Sequence, residues 1–388
     1  MEPAPSAILP ETSIVIQESR WKRVWRWVIS TLEWGFGLVA ILIGLAVLSV
    51  IPILNFLSLG YLLEASGRVA ATGKIRRGFV GVRKASVVGG IALGVGLALI
   101  PVQIVAGFWR DAGMVSPGSA IEHRWKVAMV LVTLAVIVHV VWACLRGGKL
   151  RHFLWPAPIC FLKALRRPNF GALLEASGRV GDWFESLRLP YFFWLGFRGF
   201  VGAACWLIGP VGILILAGKI RNDGVALLTN LLGAGLLMLV VMYLPFLQAN
   251  FAREREFPAL FRLRQIRESF RRAPIAFWFS LLITLLFALP LYVLKVERIP
   301  QAVAWLPAAL FVLLIFPARL LTGWAMSRAS RREQPRFWLW RWMGRLAALP
   351  IVAAYVLFVW LTQYLSWQGS FSLLEQHAFL VPAPLLGL

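Results

Sequence analysis

The chain has 388 residues, 60% of them hydrophobic, with 19 tryptophans, a mean hydropathy of +0.75 and a formal net charge of +23. A soluble domain is apolar in roughly half of its residues, so a soluble fold is excluded, and the positive charge lies between apolar segments instead of on a separate domain, which argues against nucleic acid as partner. Cys144, Cys160 and Cys205 form neither a CxxC pair nor an even-numbered framework, which excludes a disulfide scaffold or zinc ribbon and leaves them as small apolar residues.

Residues 1–19 carry Pro3, Pro5, Pro10, Glu2, Glu11 and Glu18. That is unlike a signal peptide, which begins basic and turns apolar. The run Arg20, Trp21, Lys22, Arg23, Val24, Trp25, Arg26, Trp27 then mixes cations with tryptophan, the chemistry of an interfacial helix. Residues 1–34 are therefore expected to form a polar leader and an interfacial helix.

The apolar segment 35–63 is interrupted by Pro52 and Asn55. As one helix its 29 residues would measure about 43 Å, too long for an untilted crossing and too short for two. It reads either as a re-entrant hairpin bending near Pro52 or as an eighth crossing. Seven further spans follow at 87–109, 127–145, 191–218, 225–247, 275–294, 302–321 and 346–366. The fold class is an all-α polytopic membrane protein, one transmembrane domain over 35–366, followed by an extracytoplasmic tail at 367–388.

Charge orients the spans. The connections 64–86, 146–190, 248–274 and 322–345 hold 6, 8, 7 and 6 basic residues, whereas 110–126, 219–224 and 295–301 hold 3, 2 and 2. The first set is expected in the cytoplasm of a cell with a plasma (inner) membrane location. Within it, Phe257, Leu260, Leu263, Ile266 and Phe270 recur at steps of three or four, an amphipathic helix for the inner leaflet. Leu173, Val180, Trp183, Phe184 and Leu187 form a similar stripe, and Arg336, Phe337, Trp338, Leu339, Trp340, Arg341 and Trp342 repeat the basic and aromatic chemistry. A basic inner collar of this kind suits anionic lipid headgroups.

The phrase Leu-Leu-Glu-Ala-Ser-Gly-Arg-Val occurs at 62–69 and again at 173–180, and Arg-Gly-Phe-Val-Gly occurs at 77–81 and 198–202. This reads as a partial internal duplication, with units starting near 60 and 171 and each copy in a cytoplasmic loop. Glu64 with Arg68, and Glu175 with Arg179, have the spacing of an ion pair on one helix face. A functional version would use each Ser-Gly turn to open the backbone to a ligand. Gly90 and Gly94 in one span, and Gly199 and Gly202 in the equivalent span, offer small faces for helix packing, against each other if the units are related by pseudo-symmetry.

Catalysis needs a nucleophile, an acid or base, or a metal in fixed geometry, and none is legible. His123, His139, His152 and His377 lack partners at ligand spacing, and residues 67–74 miss the phosphate-loop spacing. No metal or cofactor is expected. The seven spans contain no Asp or Glu; their polar candidates are Gln103, His139 and Asn230, with Arg198 and Arg319 close enough to inner ends to snorkel.

The run Pro-Ile-Leu-Asn-Phe-Leu-Ser-Leu-Gly-Tyr-Leu-Leu at 52–63, with Gly73 beyond it, resembles an uncharacterised family of prokaryotic polytopic membrane proteins. In that family a segment containing Pro and Asn ends in Gly-Tyr and leads into a cytoplasmic loop. The resemblance implies a bacterial plasma membrane and brings no activity or residue roles. The expected function is a non-enzymatic scaffold or lipid-interacting module with a basic cytoplasmic face. The alternative is a transporter or channel for a small or anionic solute, which a polar cavity holding His139 or Gln103 would favour.

Overall fold

The computed structural model describes residues 20–166, 178, 181–183, 185–293, 305–366, 369–376 and 378–380. The leader, most of the second repeat copy with Glu175 and Arg179, much of the 173–187 stripe, the 295–301 connection and His377 lie outside the described residues. All regular elements among the described residues are helical. They are α1 (Arg20–Val50), α2 (Asn55–Thr72), α3 (Val82–Val115), α4 (Ala120–Leu145), α5 (Leu150–Leu154), α6 (Pro158–Arg166), α7 (Leu189–Ala217), α8 (Asp223–Glu254), α9 (Leu263–Arg272), α10 (Pro274–Val293), α11 (Trp305–Ser330) and α12 (Trp338–Leu365). Short 3-10 helices lie at Ile75–Gly78, Phe257–Phe261 and Gly369–Leu374. Among the described residues eight helices, α1, α3, α4, α7, α8, α10, α11 and α12, are long and apolar enough to cross a membrane.

The segment 35–63 is one helix end, a break and one helix start. Pro52 has no N–H to continue the α1 ladder, and Ile53 takes a positive φ of 69°, a strained conformation for a β-branched residue. The chain reverses there, and the Ser58 hydroxyl donates to the Leu45 carbonyl at 2.8 Å, joining α2 back onto α1. The reversal lies part-way along the neighbouring helices. Gly37 faces Val82 and Ala40 faces Gly89, so α1 runs parallel to α3, and Val50 stops about 24 Å short of the level where α3 ends. Gly60 lies on Phe192 and Gly196 on Phe56, so α2 runs antiparallel to α7, which continues about 30 Å beyond the level of Asn55.

α2 is the centre of the bundle, packed among α7, α11, α8 and α1. Leu62, Leu63, Ala65 and Val69 are fully buried. The first repeat copy therefore forms the C-terminal half of a buried helix and not a loop: its Glu, Ser and Gly read as polar, but neighbouring helices cover them, and only Arg68 stays half-exposed. Ser66 and Gly67 are helical, so no turn opens the backbone. The second shared phrase takes two forms, a 3-10 helix and turn at 77–81 and the interior of α7 at 198–202. α3 and α4 form a peripheral pair, only 6% of each apolar window being buried.

The alternating helices gather the four basic connections at one end, where hydrogen bonds tie them together. Lys84 donates to the Ser186 carbonyl at 2.7 Å, Arg331 to the Thr72 carbonyl at 3.2 Å, and the Arg336 backbone N–H to the Arg271 carbonyl at 2.9 Å. The amphipathic stripe of 257–272 splits into a 3-10 helix and α9, and Leu260 and Ile266 are fully buried. It packs on protein instead of lipid: the Trp206 indole N–H donates to the Leu260 carbonyl at 3.0 Å, and Leu260 seats against Gly202.

Close helix approach at Gly60 and Gly196 is a stability requirement, since a Cβ at either would collide with a backbone carbonyl of the other helix. Gly60→Val and Gly196→Val should each lower stability by about 1–3 kcal/mol. Gly44→Ala, facing open space, should gain up to about 1 kcal/mol from helix propensity. Thermal unfolding in detergent distinguishes the two classes, and equal effects at all three positions would contradict the packing described.

Candidate functional site

The Glu64–Arg68 pair forms as its spacing predicts, Arg68 Nε lying 2.7 Å from Glu64 Oε1. Three elements contribute to it. The Tyr191 hydroxyl on α7 donates to Glu64 Oε2 at 2.6 Å, and Arg255, just past the end of α8, lies 3.6 Å from Glu64 Oε1. Glu64 is 1% exposed, whereas Arg68 and Arg255 are 39% and 54% exposed. The Tyr191 ring is flanked by the guanidinium groups of Arg188 at 4.4 Å and Arg255 at 5.5 Å. A buried carboxylate thus fastens α2, α7 and α8 together, while its cations extend toward solvent. Both Glu64 oxygens are engaged within the cluster.

The other polar candidates separate. His139 Nε2 is 2.8 Å from the Phe153 carbonyl on α5, and Asn230 donates to Ala226 and accepts from the Trp360 indole at 3.1 Å. Gln103 is exposed on α3, so the structure does not bring His139 and Gln103 together. Arg198 lies over the Trp194 and Phe251 rings. Arg319 does not snorkel. α11 runs on to Ser330, and the Arg319 side chain is buried at 2% exposure. The four glycines meet other partners than one another: Gly90 the backbone of Gly148 and Leu150, Gly94 the Phe153 ring, Gly199 Leu63 and Gly202 Leu260. Among the described residues no three of His, Cys, Asp and Glu gather as metal ligands.

The basic end also holds two slots that sequence periodicity did not reveal, because each is built from four chain segments or two. One, of about 230 Å³, has walls from Met242, Phe246, Phe277, Leu281 and Leu346, and Arg267, Trp342 and Arg345 at its mouth. That mouth continues into a hollow lined by Arg267, Glu268, Arg271, Arg341, Trp342 and Arg345. The second, about 240 Å³, lies between the start of α10 and the end of α11, with Trp324 and Phe279 beside Arg328, Arg332 and Arg336. Burial first, then the like charges of Arg336 and Arg328, hold the Arg332 guanidinium below the usual arginine range. Each slot pairs an apolar wall with an arginine rim.

No family model, curated protein or solved structure matches the chain.

The Glu64 cluster makes a graded expectation. Glu64→Gln removes the charge from two short hydrogen bonds and should cost about 1–3 kcal/mol. Arg68→Ala loses a half-exposed partner and should cost less than about 1 kcal/mol. Unfolding midpoints in detergent measure both, and a neutral Glu64→Gln would show that the cluster does not fasten the helices.

Proposed function

We propose that the chain is a non-enzymatic lipid-binding module of a bacterial inner membrane, with its basic end in the cytoplasm and α1–α2 as a re-entrant hairpin. The positive-inside bias of the four tied connections supports the orientation. The hairpin reading is supported by the level of the 51–54 reversal, part-way along α3 and α7.

The observation that carries the function is the slot among α8, α9, α10 and α12. An apolar cleft opening into an arginine-lined hollow matches an acyl chain joined to an anionic phosphate headgroup. Each buried methylene contributes about 0.8 kcal/mol, and each basic residue near the headgroup about 1 kcal/mol. The hollow has four arginines against one glutamate, a surplus of three. That corresponds to about 3 kcal/mol in favour of an anionic over a zwitterionic lipid, on the order of 100-fold. Trp342 at the mouth supplies the interfacial anchor.

Native mass spectrometry from nanodiscs of phosphatidylcholine with graded phosphatidylglycerol should show selective retention of the anionic lipid. R267Q/R341Q/R345Q should lose most of that preference, and R124Q, on another connection, should keep it. Equal retention of both lipids by the unmodified protein would sink the proposal. A reporter active only in the cytoplasm, fused to the N-terminus, should give signal; its silence, with a reporter active only outside the membrane giving signal from the same position, would rule out the hairpin.

A further inference from the structure

The segment after α12 turns back into the bundle instead of staying outside it. The 3-10 helix Gly369–Leu374 packs on α12 and α7, and Leu373, Gln376, Ala378 and Phe379 are buried. Two contacts fix its depth: Ser372 Oγ is 3.3 Å from Thr362 Oγ1, and the Tyr355 hydroxyl hydrogen-bonds with the backbone of Ala378. Tyr355 lies ten residues before the end of α12, so the segment penetrates about 15 Å. Irregular backbone at such depth is tolerated only where protein surrounds it.

What it reaches is Arg319. Arg319 Nη1 donates to Gln248 Oε1 at 2.6 Å and Nη2 to the Phe379 carbonyl at 2.9 Å, and Gln248 Nε2 donates to that same carbonyl at 3.2 Å. Arg319 Nε is buried without a hydrogen-bond partner, and no carboxylate among the described residues pairs with this guanidinium. A guanidinium presents Nε and an Nη as a fork that fits the two oxygens of a carboxylate. Here one tine holds a neutral carbonyl and the other holds nothing. Phe379 fills the adjoining space with a fully buried ring. The tail thus offers an oxygen and an aromatic ring together, and lacks only the charge and the second oxygen.

We propose that Arg319 and Gln248 form a binding site for a small hydrophobic carboxylate, and that the tail segment carrying Phe379 occupies the site as a tethered stand-in. This rests on observations separate from the lipid slot. A short tether acts at an effective concentration in the millimolar range, so the tail competes with a free ligand and withdrawing it exposes the site.

Phenylacetate is the probe, with thermal stabilisation in nanodiscs as readout. In a C144S/C160S/C205S background, T362C/S372C allows the tail to be locked by a disulfide. The reduced form should be stabilised by phenylacetate and the oxidised form should not. A chain truncated after Ser366 should respond at least about tenfold below the full-length midpoint, as removal of a tethered competitor requires, and R319Q should abolish the response. If the truncated chain does not fold, the oxidised and reduced forms of the intact protein decide. Equal responses of those two forms, no response in the reduced form, or equal stabilisation by the neutral phenylethanol would each overturn the proposal.

Discussion

The bundle depends on the close approach of backbones around α2. A helix buried among four others must let them near, and it does so where side chains vanish: Gly60 against Phe192, Gly67 against Ala252, and Gly323 of α11 against Ser66. In a membrane interior such contacts replace the hydrophobic drive that lipid cannot supply. Burial leaves Asn55 Oδ1 at the start of α2 without a hydrogen-bond partner, but it brings Ser58, Ser66 and Glu64 to one each. Ser58 bonds to Leu45, Ser66 lies 3.2 Å from the Thr322 hydroxyl, and Glu64 takes Arg68 and Tyr191.

The spans were legible because hydropathy over some twenty residues is a strong signal. The break near Pro52 was legible because proline removes a ladder donor. Helix ends were not. Hydropathy falls at Gln248 and just beyond Arg319, yet α8 continues to Glu254 and α11 to Ser330, since their polar residues bond to one another and to the tail. The Glu64 phrase looked like a loop for the same reason: composition reports polarity, and only packing reports whether that polarity is satisfied inside. The Phe257–Phe270 stripe was seen as a stripe, but periodicity does not say whether an apolar face meets lipid or protein. Leu260 and Ile266 meet protein.

At the basic end, arginine does more than set orientation. Arg331, Arg332 and the Arg336 backbone close connections onto the carbonyls of Thr72, Arg272 and Arg271, satisfying helix-end acceptors that would otherwise face the interface unpaired. At 331 and 332, where the guanidinium is the donor, lysine would serve less well, because the guanidinium can bridge a carbonyl while its remaining N–H groups stay hydrated. Arg332 and Arg336 also line the rim of the second slot, and other arginines line the first, where Glu268 is the one acid in the hollow of four arginines. Structural stapling and anion attraction therefore draw on the same residue type, and at Arg332 and Arg336 on the same residues.

Two buried ionic groups show opposite solutions to the cost of removing charge from water. Glu64 is compensated on the spot, by guanidinium groups long enough to stay half in solvent while their tips reach inward. Arg319 has no such option: it sits 14 residues from the start and 11 from the end of a 26-residue helix, too deep for a carboxylate to reach from either interface without being buried as well. A backbone carbonyl from a folded-back tail is the least costly acceptor to deliver there, because it arrives with neutral chain and an apolar ring. That delivery couples the tail to α8 and α11, since the Phe379 carbonyl accepts from both Gln248 and Arg319. The Tyr292–Tyr355 pair, 3.0 Å between hydroxyls, extends the coupling to α10 and α12. A chain that needed only to pack would satisfy this core more simply with an apolar residue at 319, so a guanidinium whose hydrogen-bond partners among the described residues are all neutral points to a charge that arrives from elsewhere.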